Sequence, residues 1–226
     1  MTTISTCPPS SADGEVAARL AHVRQRIARA GGDPDLVRIL AVTKGFGPEA
    51  VRAARAAGLT DIGENYAAEL EAKAPGPVGT RWHFLGAVQR NKVRSLAPLV
   101  DVWQGVARLV EGERIAQHAA GARVLIQIDY TGLPGRNGCS PESVPELARA
   151  LMGLDLQVQG LMTVAPQAAS QAEAAFQSLS RAADALGLPE RSMGMSEDLE
   201  AAVAAGSTMV RIGRALFGDR PAVTVG

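Results

Sequence analysis

This sequence predicts a single α/β domain, a (β/α)8 TIM-type barrel with an additional N-terminal helix, and three observations predict it. Eight short apolar runs recur along the chain. Nearly all are followed by an Ala-rich segment of helical character, and strict alternation of strand and helix makes a parallel sheet. No G-x-G-x-x-G follows a run and no G-x-x-x-x-G-K-S/T occurs, which weighs against the alternative, an open doubly wound nucleotide-binding sheet. Eight units within about 190 residues fit a closed barrel.

The elements follow in order. Residues 1–12 are rich in Ser, Thr and Pro, a composition that predicts a disordered tail ahead of one domain over 13–226. A helix is expected from Asp13, with Val16, Leu20, Val23 and Ile27 at helical spacing and Gly31-Gly32 as its stop. The strand runs are VRILAVT (37–43), TDIGEN (60–65), RWHFLG (81–86), VDVWQGV (100–106), RVLIQIDY (123–130), LQVQGLMTV (156–164), RSMGMS (191–196) and TMVRIG (208–213). Helices are expected between them, in PEAVRAARAAG, VRSLAPLV, ARLVEGERIAQHAAG, PESVPELARALMGL, QAEAAFQSLSRAADALG and EDLEAAVAAG. Many open on Pro, Ser or an acid and close on Gly, as helix ends do.

Composition narrows the function. Lys plus Arg and Asp plus Glu are each 23, so no net field draws polyanions or acidic membranes, and nucleic acid is not an expected partner. Cys7 and Cys139 are the only cysteines; they suit a reducing compartment and make neither a disulfide framework nor a metal cluster. The opening MTTISTCPPSSADG lacks a basic stretch and an apolar core, so no signal peptide is read there. No run approaches the roughly 18 apolar residues of a membrane span. A soluble cytoplasmic protein is expected.

In a barrel of this type, function sits at the carboxyl ends of the strands. The first strand ends on Lys44, followed at once by Gly45-Phe46-Gly47. Lysine is rarely buried, and the simplest reading is a stem that covers apolar surface while the ammonium reaches water. A lysine desolvated in a barrel mouth instead has a lowered pKa and attacks aldehydes, forming a Schiff base with a carbonyl substrate or with pyridoxal phosphate. Ser196, in GMSED, and Gly213, in VRIGRALFG, end the seventh and eighth runs, where such barrels commonly hold a phosphate. Taken singly, Ser196 could simply cap a helix starting at Glu197, and Gly213 could simply turn the chain. With a lysine on the first strand, a site for a phosphate and an aldehyde is the better reading. Arg211 shares a face with Gly213, opposite Val210 and Ile212. Facing outward it needs no explanation; facing inward it can donate to a pyridine nitrogen and keep that nitrogen unprotonated.

The stretches LAVTK, DIGENY, WHFLGAVQRNK, VLIQID, GLMTV and GMSEDLEAAVAAGSTMVRIGRALFG span 39–218. Together they resemble the pyridoxal phosphate homeostasis protein family, a single-barrel relative of the alanine racemase cofactor domain. The resemblance implies pyridoxal 5'-phosphate on Lys44 as a Schiff base. It also implies a phosphate held by Ser196 and the backbone of Gly213 and Arg214, Arg211 at the pyridine nitrogen, and Asn65 lining the pocket. Many members carry a Ser-Lys-Ser/Thr-Gly-like stretch after the fifth strand; here it reads LPGRNGC, with Arg136 in place of the usual lysine.

The function expected is a cofactor carrier: a cytoplasmic monomer that holds pyridoxal phosphate without catalytic residues and passes it on by transient contact with apo-enzymes. The alternatives are an amino-acid racemase and a cofactor-free Schiff-base aldolase. An aldolase offers Arg211 no heterocyclic nitrogen. A racemase needs a second acid–base group opposite the lysine; alanine racemases take a tyrosine from a separate β-domain, and only 13 residues follow Gly213 here. Tyr66 and Tyr130 are the only substitutes. His83 could serve as a base or as a hydrogen-bonded structural residue, while His22 and His118 are expected on solvent-facing helices.

Overall fold

The computed structural model describes residues 11–220, with side chains from Gly14 onward. Eight strands, β1 (Arg38–Val42), β2 (Asp61–Glu64), β3 (Arg81–Phe84), β4 (Val102–Val106), β5 (Arg123–Ile128), β6 (Gln157–Thr163), β7 (Glu190–Ser192) and β8 (Met209–Ile212), close in chain order. All neighbours are parallel, and β8 pairs with β1 through Leu40 opposite Arg211 and Ala41 opposite Ile212. That closure excludes the open sheet. Seven of the expected strand runs hold a strand, most trimmed by a residue or two at their ends. The seventh run in chain order, 191–196, overlaps β7 only at Arg191 and Ser192, because the strand begins at Glu190 and the rest of the run is loop.

The helices are α1 (Ser11–Arg29), α2 (Pro48–Ala56), α3 (Ala67–Lys73), α4 (Val93–Leu96), α5 (Leu109–His118), α6 (Val144–Met152), α7 (Ala169–Ala185), α8 (Leu199–Ala204) and α9 (Arg214–Phe217). Two of them, α3 and α9, are not among the expected segments: each is short, and α9 is a single turn after β8. α1 begins two residues before Asp13. The rest of the expected tail, residues 1–10, and residues 221–226 lie outside the described residues.

Strand alternation sorts the side chains into two cores. Outward-facing Ile39, Ala41, Ile62, Ile126, Val210 and Ile212 pack under the helices, joined by Leu20, Val23 and Ile27 of α1. Each fully buried aliphatic side chain contributes about 1.5–3 kcal/mol relative to exposure. Inside the barrel, Leu40, Val42, Leu85 and Met209 form one apolar cluster and Val102, Leu125 and Met162 another. The interior is not wholly apolar: His83, Gln104, Ser192 and Arg211 are also buried there. No described helix is long and apolar enough to cross a membrane.

Candidate functional site

Lys44 follows Leu40 and Val42 on the inward face of β1 and stands half-buried at the mouth. The chain leaves it through Gly45, whose φ of 76° is a left-handed conformation that favours glycine. A Cβ there would come within 2.8 Å of the Arg220 side chain. The peptides on both sides of Lys44 are tied down from α3. Lys73 Nζ donates to the Thr43 carbonyl at 2.8 Å, and the Gly45 N–H donates to Glu69 Oε2 at 2.8 Å. Lys73 also pairs with Glu64 at 2.6 Å and Glu69 at 2.8 Å, and Thr43 Oγ1 donates to the same Glu64 oxygen at 2.6 Å. Burial holds the Glu64 carboxyl above its ordinary value in spite of these donors. Beyond the turn, Phe46 packs on Phe217 of α9 with ring centroids 5.3 Å apart, which joins the lysine turn to the strand-8 side of the mouth. Burial pushes the Lys44 ammonium below its ordinary pKa, and the positive charges of Arg220 and Arg211 push it the same way. A larger share of neutral amine, and hence of nucleophile, follows.

Arg211 points into the barrel, as alternation requires, and is 5% exposed. Its Nη1 donates to the carbonyl and Oγ of Ser192 at 2.6 and 3.0 Å, and its Nη2 donates to the Thr163 carbonyl at 2.6 Å. Burial brings its pKa down to about 10, still high enough to keep it cationic at neutral pH. A guanidinium carries five N–H donors; three are engaged here, leaving Nε–H and one Nη2 hydrogen.

Ser196 does not cap α8. The N-cap is Asp198, whose Oδ1 accepts the Met195 N–H at 2.5 Å, and the helix starts at Leu199 rather than Glu197. The Ser196 hydroxyl lies instead over α9, where its oxygen accepts the Ala215 N–H at 3.4 Å; its own hydrogen has no acceptor among the described residues. Gly194 lets the loop bend there: its φ is 94° and a Cβ would meet that of Ala202 at 2.5 Å. Arg26 of α1 ties the loop down, donating to the Ser196 carbonyl at 2.9 Å while its guanidinium grips Glu200 at 2.6 and 2.7 Å. Gly213 is the N-cap of α9, whose first N–H groups have no partner within the helix. The Arg214 side chain turns outward to Glu197.

Lys44, Asn65, Ser196, Arg211, Gly213 and Arg214 all line one cavity of about 1030 Å³, together with Arg220. The structure thus brings all six expected site residues together. Arg136 does not line that cavity: it borders, with Tyr130, an adjoining groove that shares Pro166 and Gln167 with the main cavity. Neither Tyr66 nor Tyr130 lines the main cavity. His83 is fully buried between Asp61 and Gln104, in the structural role, while His22 and His118 are exposed. No metal-ligand cluster occurs among the described residues. Sequence reasoning missed Arg220, Glu64, Glu69 and Lys73. The signal for the last two was the four-residue Glu–Lys spacing of a helix face; Arg220, beyond the last strand, left none.

An amine of lowered pKa, a buried guanidinium with free donors, and a hydroxyl beside a helix start can together take an anionic carbonyl compound. Residues 15–221 match the family model described as alanine racemase, N-terminal domain. A protein of Pseudomonas aeruginosa called pyridoxal phosphate homeostasis protein is 40% identical over 88% of this chain and 92% of its own. One of the same name from Deinococcus radiodurans is 38% identical over 89% of this chain and 99% of its own. Among solved structures, PipY of Synechococcus elongatus with PLP bound is 32% identical, covers 90% of this chain and all of its own, and superposes with a TM-score of 0.77. The chain belongs to the alanine racemase N-terminal domain family, among its pyridoxal phosphate homeostasis proteins.

Proposed function

We propose that this chain binds pyridoxal 5'-phosphate through Lys44, contributes to its homeostasis and delivery inside the cell, and does not turn it over. The observation that carries this reading is the convergence on one cavity of the Lys44 amine, the buried Arg211 guanidinium and the donors of Ser196 and Gly213. The relatives' names and the PLP-bound neighbour support it. The residues fit the group. Lys44 supplies the nucleophile for an aldehyde, and Ser196 with the N–H groups of Gly213 and Arg214 supplies donors for a phosphate. Arg211 brings two unengaged donors to a ring nitrogen, and Asn65 borders the same space. When bound, the cofactor supplies an electrophilic carbon and an electron-withdrawing ring.

Two features set the chain's own residues against turnover. A fixed cation at the ring nitrogen opposes protonation there, which weakens the ring as an electron sink. The second acid–base group of a racemase has no tyrosine to supply it in the cavity. The cavity opens at the strand ends, so a recipient apo-enzyme can reach it by transient contact, with the carrier itself a monomer. The free thiol Cys139 fits a cytoplasmic setting. Borohydride reduction of the loaded protein, followed by peptide mapping, is expected to place the pyridoxyl group on Lys44; its appearance on another lysine, or on none, refutes the reading.

A further inference from the structure

The polar side chains inside the barrel form a single file with one direction. Arg211 Nη1 donates to Ser192 Oγ at 3.0 Å, and Ser192 Oγ donates to Gln104 Oε1 at 2.6 Å. The other end of that amide, Gln104 Nε2, lies 2.7 Å from His83 Nδ1, and His83 Nε2 lies 2.8 Å from Asp61 Oδ1. An amide nitrogen only donates, so His83 Nδ1 accepts and the ring proton sits on Nε2, facing the carboxylate. Arg81 closes the file by donating to Asp61 at 3.2 Å. Ser192, Gln104 and His83 have no solvent exposure, and Asp61 has 7%.

Arg211 is a buried cation whose hydrogen-bond partners are two carbonyls and a hydroxyl, with no carboxylate in ion-pairing reach among the described residues. Among the described residues, the file is its only hydrogen-bonded side-chain route to a negative charge. Bonds that all donate in one direction polarise one another, more so in a low-dielectric interior. The charged groups around the file keep its protonation fixed. Burial lowers the His83 pKa, against the hydrogen bond and charge of Asp61, while Arg38 and Arg81 push the same way as burial. Burial alone would raise the Asp61 carboxyl, but the His83 hydrogen bond and the charges of His83, Arg81 and Arg38 hold it below its ordinary value. Lys44 and Asp198 are the charged groups that act on Arg211 from the mouth.

We propose that Ser192, Gln104, His83 and Asp61 are positioning residues for Arg211: their directed file through the barrel fixes the guanidinium that faces the mouth and sets what a ligand's ring nitrogen meets there. The first half concerns the apoprotein alone; the second rests on the cofactor reading above.

The test begins with apoprotein. In 15N-labelled protein, the guanidinium protons of Arg211, assigned by their loss in Arg211→Lys, are expected to be resolved and slow to exchange. Ser192→Ala, which deletes the hydroxyl that accepts from Nη1, should speed that exchange about tenfold or more, the loss of one charge-assisted hydrogen bond. Gln104→Met, which leaves that bond but removes the acceptor of the Ser192 hydroxyl, should speed it by a smaller, measurable factor. Asp61→Asn, which keeps the shape but removes the distant charge, should speed it less. Unchanged exchange in folded Ser192→Ala and Gln104→Met overturns the proposal; if Gln104→Met does not fold, Ser192→Ala, which deletes one oxygen, decides. The second arm records the visible spectrum of pyridoxal phosphate-loaded protein against pH. The three variants should shift it in the same direction as Arg211→Lys, and a spectrum that moves only in Arg211→Lys overturns the second half. Faster exchange in protein that takes up no chromophore supports the file and refutes the cofactor reading.

Discussion

Lys73→Met isolates the buried charge cluster beneath Lys44. Lys73 is 4% exposed and Glu64 fully buried, and the ammonium has three acceptors: Glu64 at 2.6 Å, Glu69 at 2.8 Å and the Thr43 carbonyl at 2.8 Å. Methionine fills a similar volume, so the loss is electrostatic rather than a cavity. Glu64 would keep only the Thr43 hydroxyl on Oε1, and its other oxygen, Oε2, already has no partner. Removing one member of a buried ion pair costs about 3–5 kcal/mol. In a chain of this size that lowers the thermal midpoint by about 6–20 °C. The pH dependence has a definite sign. Burial already holds the Glu64 carboxyl above its ordinary 4.5, and Lys73 is the main group opposing that rise. Without Lys73 the folded state holds the Glu64 proton more tightly than the unfolded chain does. Stability relative to wild type is therefore best below pH 4.5 and is lost as pH rises through the elevated folded value. Denaturant unfolding from pH 4 to 8 measures it, with Glu64→Gln/Lys73→Met expected to recover most of the loss at pH 8. A Lys73→Met variant within 1 kcal/mol of wild type at pH 8, with no pH trend, would refute the argument.

Three further outcomes follow from the cavity. Ser196→Ala should weaken pyridoxal phosphate about tenfold or more and pyridoxal hardly at all, since one charge-assisted hydrogen bond to phosphate is lost; equal losses in titrations of both ligands would remove Ser196 from the phosphate site. Arg220→Gln should raise the Lys44 pKa, because Arg220 is the foremost charge lowering it after burial; the pH midpoint of pyridoxal uptake, followed by absorbance, should move upward, and an unmoved midpoint excludes the effect. Holo-protein incubated with L-amino acids in deuterium oxide should show no enzyme-like α-deuteration by NMR. Exchange abolished by Lys44→Ala, and by Tyr66→Phe or Tyr130→Phe, would overturn the carrier reading in favour of a racemase.

The sequence by itself determined the barrel and the addresses of its mouth. Strand alternation is strictly local: Leu40 and Val42 inward put Lys44 inward, and Val210 and Ile212 outward put Arg211 inward, whatever the rest of the chain does. The eight repeated units then leave few ways to bury both faces of the strands. Only the tertiary structure decided what those residues meet. Lys73 stands 29 positions after Lys44 and Gln104 lies 88 before Ser192, and no periodicity links such pairs. Taken alone, Ser196 could have been a helix cap, because capping is a local signal; in the fold Asp198 holds the N-cap position, with its carboxylate turned to the Met195 N–H, and the Ser196 hydroxyl lies over α9. Barrel closure is what brings β8 beside β1, and with it the Arg211 charge that helps to depress the pKa of Lys44. Such contacts depend on which strands become neighbours in space, a property of the closed ring that no single stretch of sequence carries.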